Sequence, residues 1–245
     1  MAVAPTPAHP ERDRRFPSAL LIPVLFFVLG CLAVLLLYRL DVLGGSGARS
    51  ANHGSGVAAS QTRDLAPFHA VELTGSNNVI IRVGGAQSVV VKGDDNLVDR
   101  ITTEVQSGRL DIGTTLDSFS TKSPMSVEIS VPSLDALTLS GAGNIAVTGV
   151  DAQGFTVDLP GSGTVTASGT TSRLDVTLGG SGTLQFSRLV ANDVRAVLEG
   201  TGTIFVTATA SIDASVSGVG SILYGGSPQH VSRNVSGTGS ISASQ

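Results

Sequence analysis

Leu178-Gly-Gly180-Ser-Gly182-Thr-Leu184 is one of six copies of a seven-residue phrase in the second half of this 245-residue chain. The others are Leu139-Ser-Gly141-Ala-Gly143-Asn-Ile145, Leu159-Pro-Gly161-Ser-Gly163-Thr-Val165 and Leu198-Glu-Gly200-Thr-Gly202-Thr-Ile204, then Val216-Ser-Gly218-Val-Gly220-Ser-Ile222 and Val235-Ser-Gly237-Thr-Gly239-Ser-Ile241. Their first glycines are spaced 20, 19, 20, 18 and 19 residues apart. A near-constant period of this length marks a stacked solenoid, whose repeats bury their apolar faces only against their neighbours.

The residues around the glycines give the coil its shape. Two positions before the first glycine every copy has Leu or Val, and four positions after it every copy has Ile, Val or Leu. Four before it run Leu137, Val157, Val176, Ala196, Ala214 and Arg233. Apolar residues at spacing two on either side of a bend describe two strands whose alternate side chains share one interior. Two strands and their corners in about 19 residues make one coil of a parallel β-helix, so the expected fold is an all-β solenoid with repeats over 137–243. Arg233 at an inward position marks the last coil as a cap.

The twelve glycines read as structural corners, where Cβ has little room and positive φ is often needed. The residue between each pair is small: Ala142, Ser162, Ser181, Thr201, Val219 or Thr238. Leu73-Thr-Gly75-Ser-Asn77-Asn-Val79 reads as a degraded copy, with Asn77 in place of the second glycine because Asn tolerates positive φ best among other residues. A dinucleotide fingerprint would need a third glycine, where this chain has Ala146, Thr166, Gln185, Phe205, Leu223 and Ser242. Calcium-binding repeats would need Asp after the second glycine and half this period.

Composition narrows the class. With 30 Gly, 4% aromatic and 14% charged residues, the chain is unlike a helical bundle. A net charge of −4 and two lysines exclude the basic stripe that a nucleic-acid partner requires. The single cysteine, Cys31, lies in an apolar run, which rules out a disulfide within the chain.

Residues 1–16 read as a short cytoplasmic tail. Pro17 to Tyr38 carry no charge over 22 residues. A helix of that length spans roughly 33 Å at about 1.5 Å per residue, enough to cross a hydrocarbon core of about 30 Å. Arg12, Arg14 and Arg15 precede it and place the N-terminus in the cytoplasm, leaving the rest of the chain extracytoplasmic. A cleaved signal peptide would have a shorter core and a small-residue cleavage site, unlike Leu35-Leu36-Leu37-Tyr38-Arg39. Val28-Leu29-Gly30-Cys31 has the look of a lipoprotein box, but Leu32 to Tyr38 stay apolar where a lipoprotein turns polar. Residues 39–64, rich in Gly, Ser and Ala, read as a flexible tether with His53 solvated within it.

The folded domain is expected over 65–245, opening with short strands at 70–73, 78–83 and 88–92. Ser107-Gly108 reads as a hairpin turn, and Gly93-Asp94-Asp95 as a solvated turn that repels anions. Asp175, Arg195 and Asp213 each stand five residues before a corner glycine on successive coils. They should form an exposed ion ladder at about 4.8 Å spacing, contributing only tenths of a kcal/mol per pair.

These phrases resemble the head GIN domain family, described as putative auto-transporter adhesins and found in bacterial envelope proteins. The resemblance covers residues 68–241. It rests on Gly75-Ser-Asn77-Asn-Val79, Val91-Lys92-Gly93-Asp94-Asp95-Asn96-Leu97, Thr103-Glu104-Val105, Val131-Pro132-Ser133-Leu134, the glycine phrases and Tyr224-Gly225-Gly226-Ser227-Pro228. It implies a β-helix solenoid in a bacterial envelope protein, which the span at 17–38 would anchor in the bacterial cytoplasmic membrane, and it brings no catalytic residue, cofactor or reaction.

No catalytic constellation is visible in the sequence. The domain has two histidines, His69 and His230, no cysteine, and no Gly-x-Ser-x-Gly elbow with Asp and His partners. No cofactor or metal site is expected. Asp151, Asp158, Asp175 and Asp193 are candidates for a polysaccharide-cleaving β-helix enzyme, but their offsets from the glycines differ. The expected function is therefore a membrane-anchored, non-catalytic module that binds a surface glycan or an envelope protein. A carbohydrate-active enzyme and an envelope sensor or scaffold are the alternatives.

Overall fold

The computed structural model describes residues 52–244. The tail, the membrane helix expected over 17–38 and the first part of the expected tether lie outside the described residues. Among the described residues no helix is long and apolar enough to cross a membrane.

The chain enters through β1 (Asn52–His53) and β2 (Ala58–Arg63), then runs through β3 (Ala70–Leu73), β4 (Asn78–Val83) and β5 (Ser88–Asp94). A single 3-10 turn, Val98–Arg100, precedes β6 (Ile101–Gln106) and β7 (Arg109–Thr114). Those two strands pair antiparallel around Ser107 and Gly108, both at positive φ as a two-residue hairpin turn requires. After β8 (Phe119–Ser120), β9 (Ser126–Val131) and β10 (Ala136–Leu139), four long strands follow: β11 (Asn144–Leu159), β12 (Ser162–Leu178), β13 (Ser181–Leu198) and β14 (Thr201–Val216). β15 (Val219–Gly226), β16 (His230–Val235) and β17 (Thr238–Ala243) complete the chain.

The result is an all-β solenoid of about five turns. Each long strand pairs parallel with the next, and the glycines stack in register: Gly163 on Gly182, Gly182 on Gly202, Gly202 on Gly220, Gly220 on Gly239. One flank of each coil continues the series β7, β3, β10; the other continues β9 and β4. The two flanks of a coil were expected to be separate strands. Instead the ladder runs through the second bend as one strand, accommodated by bulges between Val147 and Val150 and between Thr166 and Ser168. Bulges bend a ladder without ending it, so β11 to β14 run unbroken between Gly-x-Gly corners, whereas in the last coil β15 ends at Gly226 and β16 begins at His230.

Inside, the expected columns are buried: Leu139, Leu159, Leu178, Leu198 and Val216 before the corner, and Ile145, Val165, Leu184, Ile204 and Ile222 after it. The last coil departs, with Val231 41% and Val235 46% exposed. Arg233 lies over the Tyr224 ring at 5.2 Å from its centroid and donates a hydrogen bond to the Tyr224 hydroxyl. The guanidinium thus caps the core through a cation–π contact, which contributes about 0.5–2 kcal/mol.

The corner glycines serve mainly a purpose other than positive φ. Among the second glycines only Gly163, Gly182, Gly202 and Gly220 have φ between +138° and +155°, and none of the first glycines is in that region. What all six first glycines share is a close approach of backbone to backbone. A Cβ on Gly200 would overlap the carbonyl oxygen of Gly180 one coil back, as one on Gly180 would overlap that of Gly161. The same oxygens accept hydrogen bonds from the following coil: Ser181 N–H donates to Gly161 O at 2.9 Å and Thr201 N–H to Gly180 O at 2.8 Å. The ladder begins at Gly75, whose carbonyl accepts from Ala142 N–H at 3.1 Å, so the phrase at 73–79 is a true copy. Asn77 is not there for its φ: Ser107 is the only non-glycine residue at positive φ among the described ones. Its side chain is buried instead, with Nδ2 unpartnered.

The tether expected over 39–64 ends earlier than its composition suggests. β2 pairs antiparallel with β5 along its whole length, and β1 pairs with β8. Ala58 to Arg63 shows no apolar alternation because this edge strand is held by backbone bonds and buries little, alternating between exposed and half-buried. The turn after β5, expected to be solvated, holds this segment. Asp94 is fully buried and its carboxylate accepts from Gly56 N–H (2.8 Å), Lys122 N–H (2.9 Å), Ser123 N–H (3.2 Å) and the Ser123 hydroxyl (3.0 Å). Asn96 accepts from Ser55 N–H and donates to His53 O, both at 2.9 Å. His53, expected to be solvated in the tether, is within 2.7 Å of the Ser120 hydroxyl through Nδ1. The 52–57 segment and the loop of residues 115–123 are thereby tied to one carboxylate.

Burial pushes the Asp94 carboxyl up, but the hydrogen bonds from Lys122, Ser123 and Gly56 outweigh it and hold the group below the ordinary aspartate range. A carboxyl lowered in the folded state contributes stability above its unfolded pKa of about 3.9 and loses it as pH falls through the folded value. Asp94→Asn should therefore lower the melting midpoint at neutral pH, and the gap from wild type should narrow as the medium is acidified below about pH 4. Calorimetry across that range checks this; a gap that widens in acid contradicts it. Gly200→Ala should destabilise the protein by about 2–3 kcal/mol through overpacking. Gly154→Ala, with nothing within 4 Å of its Cβ, should shift stability by no more than about 0.5 kcal/mol. Urea unfolding of the two variants compares them.

Candidate functional site

The candidate site lies at the N-terminal end of the corner ridge. There the loop after β7 leaves the repeat and stands beside the first corners, forming an open cavity of about 650 Å³. It is lined by the corner glycines Gly75, Gly141 and Gly161, and at the last two a Cβ would overlap the backbone of the preceding coil. Its walls carry the hydroxyls of Ser76, Ser140 and Ser162 on one side and Leu116, Asp117 and Phe119 on the other. Ser140 donates to Glu72 at 2.7 Å, whereas the hydroxyls of Ser76 and Ser162 and the carboxylate of Asp117 have no partner among the described residues. Phe119 is also unusual in type. Of the described aromatic residues, Phe68, Phe155, Phe186 and Tyr224 are buried, leaving Phe119 and Phe205 partly exposed.

Loop and strap share a support. β8 carries Phe119 against β1, and the Asp94 carboxylate fixes the chain three residues further on. The available signal for this site in the sequence was an interruption: residues 115–125 fit no coil, and their aromatic falls outside every inward column.

The expected ion ladder lies on the strand segments that lead into the corners, five residues before each first glycine. Asp175 stands opposite Arg195, and Arg195 opposite Asp213, on three successive strands. The pairing differs from the expected one. Arg173, two residues earlier on the same strand and the same face, takes Asp175 at 2.8 Å, and Ser211 donates to Asp193 at 2.5 Å. Arg195 makes no ion pair among the described residues. Arg173, with its hydrogen bond to Asp175 and the charges of Asp175 and Asp193 nearby, is held above the ordinary arginine range. The groove along this face is shallow, about 310 Å³, and is lined by Asp193 and Asp213 together with Arg173 and Arg195.

The four aspartates singled out for catalysis do not meet in one cavity: Asp193 lines this groove, while Asp151, Asp158 and Asp175 line none of the cavities described. A general acid at a glycosidic bond needs a raised carboxyl pKa. The two displaced carboxyls are both lowered, Asp94 by its backbone cradle and Glu128 by the Lys92 ammonium at 2.6 Å, and neither lines the corner cavity. Among the described residues no three His, Cys, Asp or Glu side chains come together as a metal site. His69 pairs with Asp135 at 3.2 Å on the exposed surface, apart from the corner cavity.

No curated protein matches the chain. The crystal structure of a putative adhesin from Bacteroides fragilis superposes with a TM-score of 0.67 at 25% identity, covering 78% of this chain and 99% of that one. A putative lipid binding protein from Parabacteroides distasonis, 20% identical, covers 80% of this chain and all of its own length at a TM-score of 0.47. Residues 67–228 match the family model described as putative auto-transporter adhesin, head GIN domain. The chain belongs to the head GIN domain family.

Proposed function

We propose that the solenoid is a non-catalytic, adhesin-like module, displayed outside the bacterial cytoplasmic membrane by a helix over 17–38 and binding a surface glycan or an envelope protein. The observation that carries this reading is the outward face beside the corners. Asn78, Asn144, Thr164, Thr183, Thr203, Ser221 and Ser240 stand in unbroken register over successive coils. At about 4.8 Å per coil they present a rigid row of hydroxyls and amides, groups that both donate and accept hydrogen bonds. Such a row suits an extended polar partner more than the enclosed pocket of a small-molecule enzyme. The name adhesin in the family description and in the Bacteroides fragilis relative supports the same reading.

A carbohydrate-active enzyme is the second reading, favoured by one feature: Asp193 and Asp213 share a groove on the charged flank. Full-length protein in detergent, incubated with bacterial envelope polysaccharides, should bind them without releasing new reducing ends. Sugar release that disappears in Asp193→Asn would establish the enzyme instead. In spheroplasts, external protease should remove the solenoid; its protection would reverse the orientation.

A further inference from the structure

We infer that the cavity at the first corner is a binding subsite for a neutral pyranose sugar, with Phe119 and Asp117 as its recognition residues. This rests on the adhesin-like reading above and names the ligand class of one site on that module.

Four features of the cavity converge on that class. A pyranose ring has one apolar face of C–H groups, and Phe119 is an aromatic side chain in the wall of this cavity and outside the core. An aromatic face there removes that apolar surface from water. The ring's hydroxyls need acceptors, and a carboxylate with two oxygens can take two neighbouring hydroxyl donors. Asp117 offers such a carboxylate, exposed and without a partner among the described residues. Hydroxyl-to-hydroxyl bonds are available at Ser76 and Ser162, whose oxygens are likewise without a partner among the described residues. Finally, the corner glycines Gly75, Gly141 and Gly161 line the cavity without side chains, which leaves backbone open to a sugar ring there.

Charge selects among sugars. Among the described residues Asp117 is the sole ionisable side chain lining the cavity, so a uronate or sialate placed here would meet a like charge with no cation among those residues to offset it. A cationic peptide would satisfy Asp117 but would leave the hydroxyl-lined walls facing its apolar stem. The hydroxyl side chains Thr74, Ser76, Thr114, Ser118, Ser140 and Ser162 outnumber that single charge. A sugar matches both features.

The test is titration of the full-length protein in detergent with cellotriose, mannotriose, trigalacturonate and a lysine pentapeptide. At least one neutral trisaccharide should bind saturably, and trigalacturonate should bind at least tenfold more weakly. Asp117→Asn, at an exposed position, should weaken neutral-sugar binding at least fivefold with an unchanged melting midpoint. Phe119→Ala should weaken it at least tenfold, and Phe119→Trp should restore it. Binding that is equal in wild type, Asp117→Asn and Phe119→Ala overturns the assignment, as does preference for trigalacturonate. Lysine peptide binding that depends on Asp117, without sugar binding, replaces it with a peptide site. If the protein holds bacterial envelope fractions but no neutral sugar, the subsite falls and the adhesin reading stands; if it holds neither, both fall.

Discussion

The structure depends on the approach of one backbone to the next at the Gly-x-Gly corner. Each first glycine lies where a Cβ would overlap the carbonyl oxygen of the equivalent glycine one coil earlier, and that oxygen accepts the next coil's N–H. Because the contact is backbone on backbone, no side-chain rearrangement can relieve a substitution there. The register of every other column follows from it: with corners stacked, the inward Leu, Val and Ile positions fall above one another and the outward hydroxyls align. The core is therefore a set of columns, each coil stabilised by its neighbours, as expected of a quasi-one-dimensional architecture.

Such an architecture has two ends that repetition cannot close. At the N-terminal end the chain abandons the parallel coil, laying β2 antiparallel on β5 and β6 on β7. At the other end Arg233 covers the Tyr224 ring where earlier coils have Leu, Val or Ala. The N-terminal closure also creates a recess on the corner ridge. A buried carboxylate, Asp94, holds the incoming strap and the 115–123 loop together, and that loop brings Asp117 and Phe119 against the first corners. A charge buried at that depth persists because backbone N–H groups surround it.

The repeat was legible because identical neighbours impose identical constraints, so the same residue types return every 18–20 positions. The second bend was not: its bulges between Val147 and Val150 and near Ser168 carry no fixed residue type, and the ladder simply runs through. The ladder of Asp175, Arg195 and Asp213 shows the same division. Its register follows from counting, but the partner of Asp175 is Arg173, two residues earlier on the same strand and the same face, a competitor that counting between coils does not register. The strap at 52–63 escaped because an edge strand held by backbone bonds needs no apolar pattern.

By itself, then, the sequence determined the coil: its period, its inward columns, its corners and the family to which those phrases belong. These are local and repetitive properties, written in side-chain type at regular spacing. Only the tertiary structure decided where Asp94 is buried, that residues 52–57 and 115–123 share it, and that Asp117 and Phe119 line one cavity with the first corner glycines. The Asp94 contacts join residues 28 to 38 positions apart, outside any repeat, and no spacing rule connects them.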